Sequence, residues 1–83
     1  METVVTVEPR EPYILEVTFS DGVTRRVDIE PLLHGEMFEP LRDVALFRQA
    51  TVDRELGTVV WPNGADISPE YLREAAPEPA PRP

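Results

Sequence analysis

One histidine, two serines and sixteen acidic residues are the groups through which this 83-residue chain could do acid–base, nucleophilic or metal chemistry. Ser20 or Ser68 with His34 and Asp66 can be written as a hydrolase triad. The G-x-S-x-G elbow that would lift such a serine onto a strained strand-to-helix turn is absent. Each serine also has a simpler use, Ser20 in a turn and Ser68 as a helix cap. His34 is followed closely by Glu36 and Glu39. A small enzyme or metal protein would need His34 to meet those carboxylates, or Asp53 and Asp66, in one pocket. The simpler reading is that His34, placed before Gly35 at the end of a turn, caps carbonyls. The acidic pairs Asp28/Glu30, Glu36/Glu39, Asp53/Glu55 and Asp66/Glu70 offer the spacing for general acid–base work. That chemistry also needs two carboxylates whose environments split their pKa values. None of the pairs fits a calcium loop. The sequence has no cysteine, which excludes a thiol nucleophile, a disulfide framework and a cysteine-held metal. No phosphate-cradling glycine motif is present. The expectation is a non-enzymatic protein with no cofactor and no metal.

The most distinctive run is Trp61-Pro62-Asn63-Gly64-Ala65-Asp66. Tryptophan is enriched at binding hot spots, so Trp61, Asn63 and Asp66 are candidate interaction residues. Asp53, Glu55, Glu36 and Glu39 join them as candidate carboxylates for a basic partner. The structural alternative has Trp61 closing a strand over the core. Asn63-Gly64 would then turn the chain, and Asp66 would bond backbone N–H groups of that turn.

The elements that position these residues follow from periodicity. Tyr13, Leu15, Val17 and Phe19 alternate on one strand face, and Val23, Val27 and Ile29 on another. A two-residue Asp21-Gly22 loop would set those apolar faces on opposite sides. A three-residue loop pairs Phe19 with Val23, Leu15 with Val27 and Tyr13 with Ile29, and sets Glu16 across from Arg26. The buried face decides for the three-residue loop, with Gly22 at positive φ. Thr3–Val7 reads as a further strand, followed by a proline-stiffened connection over residues 8–12. Pro31–Gly35 reads as one helical turn. Residues 40–48 read as a short helix packed by Phe38, Leu41, Val44 and Phe47. Two strands over residues 50–53 and 58–61 flank a four-residue loop ending at Gly57. Ser68, Pro69 and Glu70 open a helix of about two turns, with Tyr71, Leu72 and Ala75 on one face.

The sum is an α+β domain, β-β-β-α-β-β-α. It is expected to be a small curved antiparallel sheet of about five strands with two short helices packed on it. The single domain covers residues 1–74, and residues 75–83, AAPEPAPRP, read as a disordered Pro-rich tail.

The formal net charge is −8, and all eight basic residues are arginine. That balance argues against tracking nucleic-acid phosphates and favours a basic protein partner. There is no membrane-length apolar run and no signal-peptide pattern, so a cytoplasmic location without membrane contact is expected. Thr3–Val7 could pair with a second copy, giving a homodimer.

Phe19-Ser20-Asp21-Gly22, Phe38 to Asp43, Leu46-Phe47, Gly57-Thr58-Val59 and above all Trp-Pro-Asn-Gly-x-Asp at residues 61–66 resemble a family of small bacterial domains. It is catalogued as the domain of unknown function two-four-four-two. The resemblance spans about residues 3–72. It implies a small α+β fold and attaches no catalytic activity or cofactor. Members commonly carry proline where this chain has Val44, which implies a longer helix here. Some members continue into a DNA-binding helix-turn-helix, which this sequence does not contain. Others sit in gene pairs that look like toxin–antitoxin modules. The leading expectation is an acidic protein-binding module, antitoxin-like or regulatory. The alternative is an acidic DNA-mimic inhibitor, such as a phage-encoded anti-CRISPR or anti-defence protein.

Overall fold

The structure is a computed structural model that describes residues 2–74. The Pro-rich segment expected over residues 75–83, and with it Ala75, lies outside the described residues. The fold is α+β. Strands β1 (Val4–Arg10), β2 (Ile14–Phe19) and β3 (Thr24–Asp28) form one antiparallel sheet in the order β1-β2-β3. Strands β4 (Thr51–Asp53), β5 (Thr58–Val60) and β6 (Asp66–Ile67) form a second, in the order β4-β5-β6. Between them run a 3₁₀ turn (Glu30–Leu32), α1 (Gly35–Phe38), a second 3₁₀ turn (Glu39–Arg42) and α2 (Val44–Phe47). The last helix is α3 (Pro69–Glu74).

The β2–β3 hairpin has the register that the buried face requires. Leu15 faces Val27 and Glu16 faces Arg26. The Phe19 N–H donates to Val23 O at 2.8 Å, and Gly22 takes φ 91°. Leu15, Val17, Phe19, Val27 and Ile29 are buried, whereas Val23 at the hairpin tip is 39 % exposed.

Two small sheets replace the expected single sheet of five strands. Strand β1 reaches the second sheet only at its start, where the Val4 N–H donates to Gly57 O at 2.9 Å. Its register slips between Val4 and Thr6, and a bulge of this kind bends a strand out of regular pairing. β4 and β5, three residues each, are too short to continue the ladder. The sixth strand, two residues long, pairs Ile67 with Val59 and Asp66 with Val60. β1 also runs through Pro9 and Arg10, which the sequence placed in a connection. A proline is tolerated because β1 is a sheet edge. That proline and the bulge blunt the edge on which a homodimer through Thr3–Val7 would rest.

The expected helix over residues 40–48 is broken. Asp43 is extended (φ −69°, ψ 114°), and its Oδ1 accepts from the Ala45 N–H at 2.9 Å, capping α2. An aspartate so used restarts the helix instead of lengthening it. The restart turns Val44 out to 43 % exposure and brings Leu46 against the core. Gly35, expected to end a turn, instead begins α1.

One core serves both sheets. It gathers Val4, Leu15, Phe19, Val27, Leu41, Phe47, Val59, Trp61 and Leu72 among its buried residues. Among the described residues no helix is long and apolar enough to cross a membrane.

Candidate functional site

The Trp-Pro-Asn-Gly run is the corner where the second sheet meets the helical segment. Trp61 follows β5 and is 3 % exposed. Its ring lies against Phe47 (centroids 6.2 Å) and edge-on to Phe38 (6.5 Å), and its Nε1–H donates to Phe47 O at 3.0 Å. Burial of the whole ring with its one polar group bonded is the tryptophan arrangement of a core. Trp61 is therefore a core residue and offers no recognition surface.

The chain reverses directly after it. The Gly64 N–H donates to Trp61 O at 3.0 Å, the Trp61 N–H donates to Ala65 O at 2.9 Å, and Gly64 takes φ 93°. Asn63 does two things at once. Its Oδ1 accepts from the Ala65 N–H at 3.1 Å, and its Nδ2 donates to Met37 O at 3.0 Å. The turn-supporting bond expected of Asp66 is thus made by Asn63. Asp66 is exposed on β6.

The Asn63–Met37 bond pins α1 onto the turn. A side-chain carbon on Gly64 would stand 3.3 Å from the Met37 methyl, so the missing side chain leaves room for the thioether. Met37 is nevertheless 42 % exposed. Glu36 beside it and Glu39 at the start of the next turn are exposed as well. The structure therefore brings Asn63, Glu36 and Glu39 to one surface around Met37.

Asp53 and Glu55 stand at the opposite end of β5, which at 3.3 Å per residue is about 10 Å long. Asp53 Oδ1 accepts from the N–H groups of Glu55 (2.8 Å) and Leu56 (3.0 Å). Its carboxylate closes the β4–β5 loop. Glu55 is exposed on that loop. The seven candidate interaction residues thus separate into a buried anchor (Trp61), a clamped surface (Asn63, Glu36 and Glu39), a distant turn (Asp53 and Glu55) and Asp66, exposed on β6.

His34 is exposed, and its side chain makes no cap bond; its backbone N–H donates to Leu32 O at 2.8 Å. The carbonyl-capping role expected of it is not made. Among the described residues no three His, Asp or Glu side chains are grouped to hold a metal ion.

Arginines do the positioning that sequence patterning overlooked. Arg42 Nε donates to Leu33 O at 2.8 Å, and Tyr13 OH donates to Arg42 O at 2.6 Å. Arg25 donates to Leu72 O at 2.8 Å and to Arg73 O. A signal existed for Arg25, which shares strand parity with Val27 and Ile29 and so points inward. Arg73 grips Asp21 with two nitrogens, at 2.8 and 3.1 Å, and lies 4.9 Å over the Phe19 ring. That grip, with the Val23 N–H, holds the Asp21 carboxyl below the usual carboxylate range and pushes Arg73 up. On the outer face of the first sheet Glu16 accepts from Arg26 (3.1 Å) and Arg10 (3.2 Å). The Arg26 bond, chiefly, lowers the Glu16 pKa.

Seven of the eight arginines lie among the described residues. Arg10, Arg26 and Arg73 are bound to carboxylates, and Arg25 and Arg42 to backbone carbonyls. Four aspartates, Asp21, Asp28, Asp43 and Asp53, accept backbone N–H bonds in turns and caps. Glu36, Glu39, Glu55 and Glu70 are exposed and unclaimed by these interactions. The negative charge left for a partner is carried mainly by glutamates.

A family model described as "Protein of unknown function (DUF2442)" matches residues 4–78. No curated protein and no solved structure matches the chain.

Proposed function

The chain belongs to the DUF2442 family, whose description names no activity, and on that premise we propose that it is a non-enzymatic protein-binding module for a basic partner. It acts as an antitoxin-like or regulatory subunit. The observation that carries this reading is the division of labour among its charges. Five arginines are bonded to carboxylates or carbonyls of the same chain, while the glutamates around Met37 face solvent. A surface of one sign steers an oppositely charged protein and raises its association rate. The clamped Met37 adds an adaptable apolar contact at the centre of that charge.

The DNA-mimic alternative has less support. A mimic needs its carboxylates free and spaced like phosphates, and four aspartates are bonded to backbone.

A pull-down from native-host lysate at low and high salt, with mass spectrometry, tests the reading. A basic protein held at low salt and released at high salt is expected. A Glu36→Lys/Glu39→Lys double variant should lose that protein, and Glu55→Lys at the far end of β5 should keep it. Retention of the same protein by the double variant, or an empty result at both salts, overturns it.

A further inference from the structure

The last helix is attached differently from the rest of the molecule. α3 is six residues long, Pro69–Glu74, and an isolated helix of that length does not persist in water. Its N-terminus is well made: the Tyr71 N–H donates to Ser68 Oγ at 3.1 Å and the Leu72 N–H to Ser68 O at 3.2 Å. Its apolar hold is small. Leu72 is its one fully buried residue, with Tyr71 packed at the edge of the core.

The remaining attachment is polar and comes from one place, the β2–β3 hairpin. Arg25 on β3 donates to the carbonyls of Leu72 and Arg73, satisfying two backbone acceptors that a short helix leaves open at its C-terminal end. Asp21 in the hairpin loop takes the Arg73 guanidinium in two hydrogen bonds. Both partners of that ion pair are about one third exposed, so water and salt reach it.

Beneath the helix the packing is open. A cavity of about 120 Å³ is lined by Phe19 of β2 and by Glu2, Pro69, Glu70, Arg73 and Glu74. The cleft is open to solvent along one side, so water reaches the helix face that carries Glu70, Arg73 and Glu74, while Leu72 and Phe19 stay buried beside it. Glu2, Glu70 and Glu74 crowd the same cavity. Their mutual repulsion is offset by Arg73, which the Asp21 grip holds in place.

We propose that α3 is a releasable strap over the Phe19 end of the first sheet, with Asp21, Arg25 and Arg73 as its catch. It opens as a local unit while both sheets stay folded. Opening frees Leu72 and uncovers Phe19, adding an apolar patch beside Glu2. This device is independent of the Met37 surface, which lies on α1 and the Trp61–Gly64 turn. Ionic strength controls it: salt screens the exposed ion pair and favours the open form. The strap joins the group of elements with few buried apolar contacts and solvent-accessible polar ones, from which local opening is drawn.

Amide hydrogen exchange on the full chain, read residue by residue by NMR, tests the proposal. Tyr71 and Leu72 report the strap, and Val17 and Val59 report the two sheets. The strap amides should exchange at least about a hundredfold faster than the sheet amides, a factor equal to about 2.7 kcal/mol. Asp21→Asn keeps an acceptor for the Val23 N–H and removes the charge. It should speed the strap amides several-fold and leave Val17 and Val59 unchanged, and added salt should do the same in the native chain. Arg73→Gln should reproduce the effect from the other side of the pair. Equal exchange of strap and sheet amides overturns the proposal. So does an equal acceleration of all four amides by both variants, which would make the ion pair a global prop.

Discussion

The two sheets are built on opposite terms. The first is a meander of strands five to seven residues long whose register follows from alternation. Its inner face is buried, and its outer face carries the Arg10–Glu16–Arg26 ion pairs. The second has strands of two or three residues that cannot hold themselves together. It is pinned by bonds from side chains to main chain. Trp61 holds Phe47 O, Asn63 holds Met37 O, and Thr58 Oγ1 holds Ile67 O. Where strands are long, backbone ladders and apolar faces carry the structure and side-chain ion pairs are accessory. Where strands are short, single polar side chains carry it. Substitution should therefore cost most in the second sheet.

The largest break is expected from Trp61→Ala. It empties the centre of the Phe38–Trp61–Phe47 cluster and removes the indole bond to Phe47 O, which keeps only the Ala50 N–H at 3.2 Å. The cost should be about 3–5 kcal/mol, the range for a large aromatic truncated in a core, measured by urea unfolding. A loss below about 1 kcal/mol would mean that the second sheet does not depend on its anchor. Trp61→Phe, which keeps a ring and loses the N–H, should recover much of the deficit.

Asn63 comes next and can be divided. Asn63→Ala removes two side-chain bonds at about 0.5–1.5 kcal/mol each, so a total of about 1–3 kcal/mol is expected. Asn63→Asp keeps an acceptor for the Ala65 N–H and loses the donor to Met37 O. It should loosen α1 selectively, read as faster exchange of the Phe38 amide with Ala65 unchanged. A Phe38 amide that exchanges faster in Asn63→Ala but at the native rate in Asn63→Asp would show that the turn, and not the clamp, is what Asn63 supplies.

The smallest effect belongs to the first sheet and is one of pH. The Glu16 carboxyl is held below the ordinary glutamate value of 4.5, chiefly by its hydrogen bond from Arg26. A carboxyl depressed in the folded state contributes stability above its unfolded pKa and loses it as pH falls through the folded value. Stability should therefore decline below about pH 4.5, and Glu16→Gln should flatten part of that decline. Because the pair is solvent-exposed, the change should be small and should shrink with added salt. An undiminished decline in Glu16→Gln would transfer it to other carboxyls, Asp21 first.

Legibility in the sequence divided along the same line. The β2–β3 register, the loop at Gly57, the Ser68 cap and the core role of most alternating residues depend on local pattern, and they were readable. Trp61 was readable only as a choice between surface and core, because a lone tryptophan at a strand end carries both meanings. The Asn63 clamp on Met37 spans 26 residues, and the Arg25 bond to α3 spans 47. No local period encodes either.

The sequence by itself determined an acidic α+β domain, its long hairpin, its family and the turns set by glycine, proline and aspartate. These rest on steric preferences and alternation that act within a few residues. The tertiary structure alone decided that the strands divide into two sheets, that Trp61 is buried, and that Asn63 is joined to Met37. Those outcomes depend on which distant backbone carbonyl each polar side chain reaches, and that distance exists only once the chain has folded.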